Sequence, residues 1–166
     1  MPVVIDLERL YDDHAQALFG FLLNLTRNEE DTRDLLQELF VKLSRQPKLI
    51  EGAREPRAYL LRLAHNGAID LFRRRAVREK YQERAPELFE DSANADEKAF
   101  REALTIALET LPPEQRAVVH LKLWEDLTFD HIAEVLGVSI NTAASRYRYA
   151  LDKLRQRLRP LYDEIK

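Results

Sequence analysis

Apolar residues recur along this chain at steps of three and four, and β-branched alternation is almost absent, so the whole chain reads as helix. A first helix is predicted from about Leu7 to Thr26, with Leu7, Tyr11, Leu18, Leu22 and Leu25 on one stripe. Asn28 can cap a second helix that opens with Glu29, Glu30 and Asp31, acids suited to a helix N-terminus. Its apolar face is Leu35, Leu36, Leu39, Phe40 and Leu43, and Pro47 ends it. A loop with Gly52 comes next. Pro56 then starts a third helix that carries Leu60, Leu63, Ala64, Gly67 and Leu71 inward. Gly67 inside that helix costs about 1 kcal/mol relative to Ala, which points to close packing or a local bend. Three helices with facing stripes can make one small core.

The periodicity lapses over 85–95, APELFEDSANA, which collects Pro, Ser, Asn and acids and reads as a flexible linker. A second set of helices begins near Asp96, with Phe100, Leu104, Ala107, Leu108 and Leu111 in a stripe. Pro112 and Pro113 break it, and Pro113 can start a further helix through His120 to Trp124. Thr128–Arg159 then reads as a short helix, a tight turn and a long helix. Ile132, Ala133 and Leu136 form the apolar face of the short one. Gly137 falls where a left-handed turn residue is needed, and Ser139 can cap the long helix. Ala143, Tyr147, Ala150, Leu151, Leu154 and Leu158 make the buried face of the long helix, with Asn141, Thr142, Ser145, Arg146 and Tyr149 on other faces. Such a unit can lay its second helix in the major groove of DNA. Any two helices joined by a glycine turn give the same apolar pattern, however, so pattern alone leaves a plain helical hairpin open.

Charge changes that picture. The 166 residues carry a net charge of −3, which by itself does not suggest a nucleic-acid binder, but the distribution is uneven. Arg73–Arg84 has six basic residues and two acids, Ala85–Ala99 five acids and one lysine, and Ala144–Arg159 six basic residues and one acid. Two basic patches therefore flank an acidic segment, a pattern that suits a protein which binds nucleic acid when a partner presents it. On the third helix Arg62, Asn66, Asp70 and Arg73 succeed one another at steps of four, four and three, opposite the leucine stripe, and Arg74 and Arg75 extend the row. An amide, a carboxylate and several guanidinium groups on one face can read bases and hold phosphates. The same residues also suit a solvated face laced by i,i+4 pairs.

Composition excludes several classes. Apolar content of 45% and charged content of 33% suit a folded helical protein. There is no cysteine, so disulfides and thiolate chemistry are out. His14, His65, His120 and His131 lie far apart without metal-ligand spacing. No cofactor, metal site or catalytic constellation is expected. No stretch is long enough to span a membrane, and MPVVIDLERL lacks the features of a signal peptide, so a cytoplasmic protein without membrane insertion is expected.

DTRDLLQELFVKLSR, EPRAYLLRLAHNGAIDLFRRR and LETLPPEQRAVVHLKLWEDLTFDHIAEVLGVSINTAASRYRYALDKLRQRL resemble, in order, the blocks of the extracytoplasmic-function sigma factors, the small two-domain members of the sigma-70 family. The resemblance runs from about Leu10 to Leu158. It implies an all-α fold: a three-helix sigma region 2 at 1–84, an acidic linker at 85–95 and a helix-turn-helix sigma region 4 at 96–166. It implies an alternative RNA polymerase sigma factor whose partners are core polymerase (the β′ clamp helices and the β flap), promoter DNA and an anti-sigma factor. Asp34, Leu35, Gln37, Glu38 and Phe40 match the polymerase-docking motif. Tyr59, Arg62, Asn66, Asp70, Arg73 and Arg74 match the element that melts and reads the −10 region, with the loop Ile50–Pro56 helping to hold a flipped base. Ser139, Asn141, Thr142, Ser145, Arg146, Arg148 and Tyr149 match the −35 reader. Tyr59 stands where many relatives have Trp. Ala143 and Ala144 replace a common Val and Lys of the recognition helix, so the typical promoter preference does not carry over. Two other classes share parts of the pattern. A sigma mimic that titrates an anti-sigma factor should lack the basic surfaces, and a stand-alone helix-turn-helix regulator leaves the first 90 or so residues without a role.

Overall fold

The computed structural model describes residues 6–76 and 95–165. Among these it contains eight helices and no strand: α1 (Leu7–Thr26), α2 (Glu29–Arg45), α3 (Lys48–Glu51), α4 (Pro56–Arg75), α5 (Ala95–Glu109), α6 (Pro113–Leu123), α7 (Phe129–Leu136) and α8 (Ile140–Ile165). They fall into two compact units, one built on α1–α4 and one on α5, α6, the start of α7 and α8. The predicted acidic linker lies outside the described residues, except Ala95, which opens α5. None of the helices is long and apolar enough to cross a membrane.

The first unit starts from its caps. Asp6 Oδ1 accepts from the backbone N–H groups of Glu8 and Arg9 and opens α1. Arg27 ends it in the left-handed region at φ 56°, donating its N–H to Leu23 O. The next residue, Asn28, accepts from Asp31 N at 2.9 Å and starts α2. Thr26 and Thr32 join their hydroxyls across this two-residue connection at 2.8 Å. So short a turn sends α2 straight back along α1, and α4 packs on both. Leu18, Phe21, Leu22 and Leu25 of α1, Leu35, Leu36, Leu39 and Leu43 of α2, and Leu60, Leu61, Ala64 and Ala68 of α4 are buried.

Several expectations shift here. The core lies along the second half of α1, so Tyr11 is 48% exposed and Phe21 takes the place expected of it. On α4 the buried stripe is turned by about one residue: Leu61 and Ala68 are in, while Leu63, Gly67 and Leu71 are only half-buried. The loop after Pro47 is partly helical, because Ile50 is buried and anchors the short α3. Gly67 is not forced by crowding. A Cβ there would meet Leu35 Cδ2 at 3.6 Å, an ordinary contact.

The second unit closes on Ala107, Leu108 and Leu111 from α5, Val119 from α6 and Ala150 and Leu154 from α8, with Leu104, Tyr147 and Leu158 at the edge. Full burial of each leucine contributes about 1.5–3 kcal/mol. Thr128 caps α7 through His131 N. At its other end Gly137 adopts φ 67°, and Val138 N donates to Ala133 O at 3.1 Å. That bond, six residues back to one, satisfies a carbonyl the helix end would otherwise leave open, and only a left-handed residue permits it. Phe129 meets Tyr147 edge-on at 5.5 Å, which sets α7 against α8. α8 continues through Pro160, beyond its expected end.

Two glycine substitutions separate these roles. Gly137→Ala should lower the unfolding free energy by about 1–2 kcal/mol, since open space around the site does nothing to relieve the positive φ. Gly67→Ala should raise it by about 0.5–1 kcal/mol, because helix entropy improves without a clash. Urea denaturation checks both, and a destabilising Gly67→Ala would contradict the packing described.

Candidate nucleic-acid and partner interfaces

The predicted site residues sit on three helices, with Ser139 just ahead of the third, and the core stripe of each helix decides what its other face can do. On α2, Asp34, Gln37 and Glu38 are exposed while Leu35 is 7% exposed and packed inward. Phe40 is half-buried against the Tyr11 ring, centroids 5.0 Å apart at 67°. The predicted docking motif thus divides into a polar outer row and two less exposed residues, Leu35 and Phe40. Gln37 and Glu38 share a shallow surface depression with Val41, Lys42 and Arg45. Val41 is 46% exposed, an apolar residue left in water in the middle of this strip. Its step of three and four from Glu38 and Gln37 was the signal that could have found it.

On α4, Arg62, Asn66, Asp70, Arg73 and Arg74 are all exposed. Among the described residues they form no ion pair and no side-chain hydrogen bond. The solvated i,i+4 network that the spacing also allowed is therefore absent from this face. The row offers an amide, a carboxylate and three guanidinium groups with their hydrogen-bonding capacity free. Tyr59, one turn before Arg62 on the same helix, is half-buried. Arg75 departs from the sequence reading. It turns back to the first turn of α2 and binds Asp31 with both terminal nitrogens, Nη1 to Oδ2 and Nη2 to Oδ1, the latter at 2.5 Å. Its side chain is 28% exposed and that of Asp31 12%. The hydrogen bond to Asp31 pushes the guanidinium still further above its usual range, against a smaller opposing effect of burial.

The N-terminal turn of α8 forms the third surface. Ser139 Oγ accepts from Thr142 N at 3.1 Å and shares a hydrogen bond with Thr142 Oγ1 at 2.9 Å. Ser139 and half-buried Thr142 are thus engaged in holding the helix start. Asn141 is exposed beside them. Ser145 and Arg146 are half-buried, Arg148 is exposed and reaches Ser145 Oγ at 3.5 Å, and Tyr149 is 59% exposed. Further along, Lys153, Arg155, Arg157 and Arg159 are exposed, with Asp152 3.6 Å from Arg155 as the local acid. Ala143 is fully buried, so a larger residue there would press on the core, while Ala144 is half-buried at the surface.

Residues 10–78 match the family described as Sigma-70 region 2, and residues 107–156 the family described as Sigma-70, region 4. The RNA polymerase sigma-E factor of Streptomyces coelicolor is 32% identical, covering 95% of this chain and 89% of that protein. The ECF RNA polymerase sigma factor SigL of Mycobacterium tuberculosis is 33% identical, covering 93% and 90%. Among solved structures, the sigma factor RpoE from Bartonella quintana, crystallised with the anti-sigma factor NepR, aligns with a TM-score of 0.75 at 21% identity, covering 94% of this chain and 98% of that one.

The division of work within the α8 turn is testable. Ser139→Ala should cost about 1 kcal/mol of stability through loss of the cap. Asn141→Ala, on an open surface, should stay within about 0.5 kcal/mol of the parent. Denaturation midpoints read both, and equal losses would remove the distinction between cap and free face.

Proposed function

The chain belongs to the extracytoplasmic-function sigma factors of the sigma-70 family, and we propose that its three outward faces divide the work of a promoter-recognition subunit. In this reading the chain binds core RNA polymerase and directs it to promoters. It makes and breaks no covalent bond itself; the polymerase does that, in the cytoplasm. Sigma region 2 occupies 1–84 and sigma region 4 occupies 96–166, joined by the acidic segment 85–95.

The observation that carries the proposal is the unengaged polar row on α4. Opening a duplex needs cations for the separated backbone, hydrogen-bonding groups for an extruded base and a ring or apolar edge for stacking. Arg62, Arg73 and Arg74 supply the first, Asn66 and Asp70 the second, and Tyr59 the third. Asn is the side chain that can bond an adenine edge bidentately, which suits the A·T-rich sequences that open most readily. The α8 face is chemically different. Its small polar residues, Asn141 and Ser145, permit close approach to base edges in the major groove, and Arg146 and Arg148 with the basic tail track phosphates. This is the composition of a duplex reader, suited to the −35 element. On α2, Asp34, Gln37 and Glu38 flank exposed Val41, an amphipathic strip suited to a protein surface, here the β′ clamp helices. The β flap falls to the second unit. An anti-sigma factor is the further partner, in keeping with the complex in which the Bartonella relative was crystallised.

The purified chain should direct core polymerase to a specific promoter in run-off transcription. Specific transcripts from no promoter in a genome-wide screen would refute this. Arg146→Ala should weaken protection of the upstream element roughly tenfold and the downstream element far less, as expected for one charged contact. Equal loss at both would contradict the two-face assignment. Gln37→Ala with Glu38→Ala should reduce affinity for core polymerase while circular dichroism stays unchanged. Unaltered affinity would count against docking through α2.

A further inference from the structure

We propose that Arg75 is a positioning residue for promoter opening: by clasping Asp31 it fixes the end of α4 to the start of α2, and so aims Arg73 and Arg74 at the strand being separated. This rests on the −10 assignment of α4 and goes beyond it.

Three consecutive arginines, Arg73, Arg74 and Arg75, end α4. A helix end frays readily, because its last carbonyls lack partners within the helix. Here the last of the three bridges 44 positions back along the chain and closes both of its terminal nitrogens on one carboxylate. Asp31 is itself held. It lies in the first turn of α2, its backbone N–H bonds the Asn28 cap, and the helix dipole favours its charge there. A planar guanidinium meeting a carboxylate through two parallel bonds fixes direction as well as distance, which a lysine ammonium does not. With Arg75 drawn inward, the rotation of the helix leaves Arg73 and Arg74 outward and exposed. The helix that meets the polymerase and the helix that meets the separated strand thus become one body.

The test uses the full-length chain in holoenzyme with Asp31→Asn, Arg75→Lys and the two combined. Open-complex formation is monitored by permanganate reactivity on a duplex promoter and on the same promoter with its −10 region already mismatched. Each single variant should slow opening on the duplex roughly tenfold, the scale of one lost charge-assisted pair. The double variant should be no worse than either single one, because both remove the same interaction. Core affinity and transcription from the mismatched template should be near the parent, which a merely unfolded protein would not preserve. If Asp31→Asn leaves opening unchanged or speeds it, Arg75 is a direct DNA contact that Asp31 restrains, and the proposal fails. Parent-like opening by Arg75→Lys also overturns it, since charge alone would then suffice. Failure of the functional reading itself is distinct, because the unaltered chain would then open no promoter.

Discussion

A helix packed in a small bundle can bury only one stripe, and what α4 offers to a partner depends on where it places that stripe. Leu60, Leu61, Ala64 and Ala68 bury one side against α1 and α2. The opposite side is thereby committed to solvent, and Arg62, Asn66, Asp70, Arg73 and Arg74 occupy it. Ala64 and Ala68 are buried at this packing face, and at the end of the same helix Arg75 reaches Asp31 at the start of α2. Had the stripe been rotated further, the polar row would face the core, where five unpaired polar side chains could not be accommodated.

The two faces proposed to meet nucleic acid differ in the way the proposed tasks differ. Reading an intact duplex calls for compact side chains at the groove and net positive charge along the backbone, and the start of α8 with its basic tail has both. Holding a separated strand calls for a mixture, because an extruded base presents donors and acceptors together with a stacking surface. Asp70 would be a liability on a purely phosphate-tracking helix. Beside Asn66 and between flanking arginines it becomes an acceptor in a field already positive. The helix-turn-helix owes its geometry to one backbone conformation, Gly137 at φ 67°, and to the Ser139 cap.

Local chemistry makes most helix boundaries legible in the sequence. Asn28, Pro56, Pro113, Gly137 and Ser139 each act within their own turn, so their effect can be read without the fold. The polar rows on α2, α4 and α8 are legible for the same reason, since a helix face is a matter of spacing. Features that depend on distant residues are not legible in this way. Arg75 continues the basic row in sequence, and only the approach of α2 reveals that it leaves that row. Tyr11 has the spacing of a core residue, but the α1–α2 crossing centres the core further along α1. The stripe on α4 sits one position from where spacing alone places it, because neighbouring apolar residues such as Leu60, Leu61 and Leu63 fit two rotations about equally well. α3 is invisible in the sequence because four residues carry too little periodicity, and Ile50 is its one buried residue.

In the proposed reading, α4 and α8 engage two different promoter elements at the same time. Site-specific photocrosslinking tests it most directly, with a photoreactive residue at position 66 or position 141 of the full chain in a holoenzyme–promoter complex. Crosslinks are expected from position 66 to a single strand of the −10 region and from position 141 to duplex DNA further upstream, at the −35 element. Crosslinks from both positions to the same element, or from position 66 to duplex DNA alone, would contradict it.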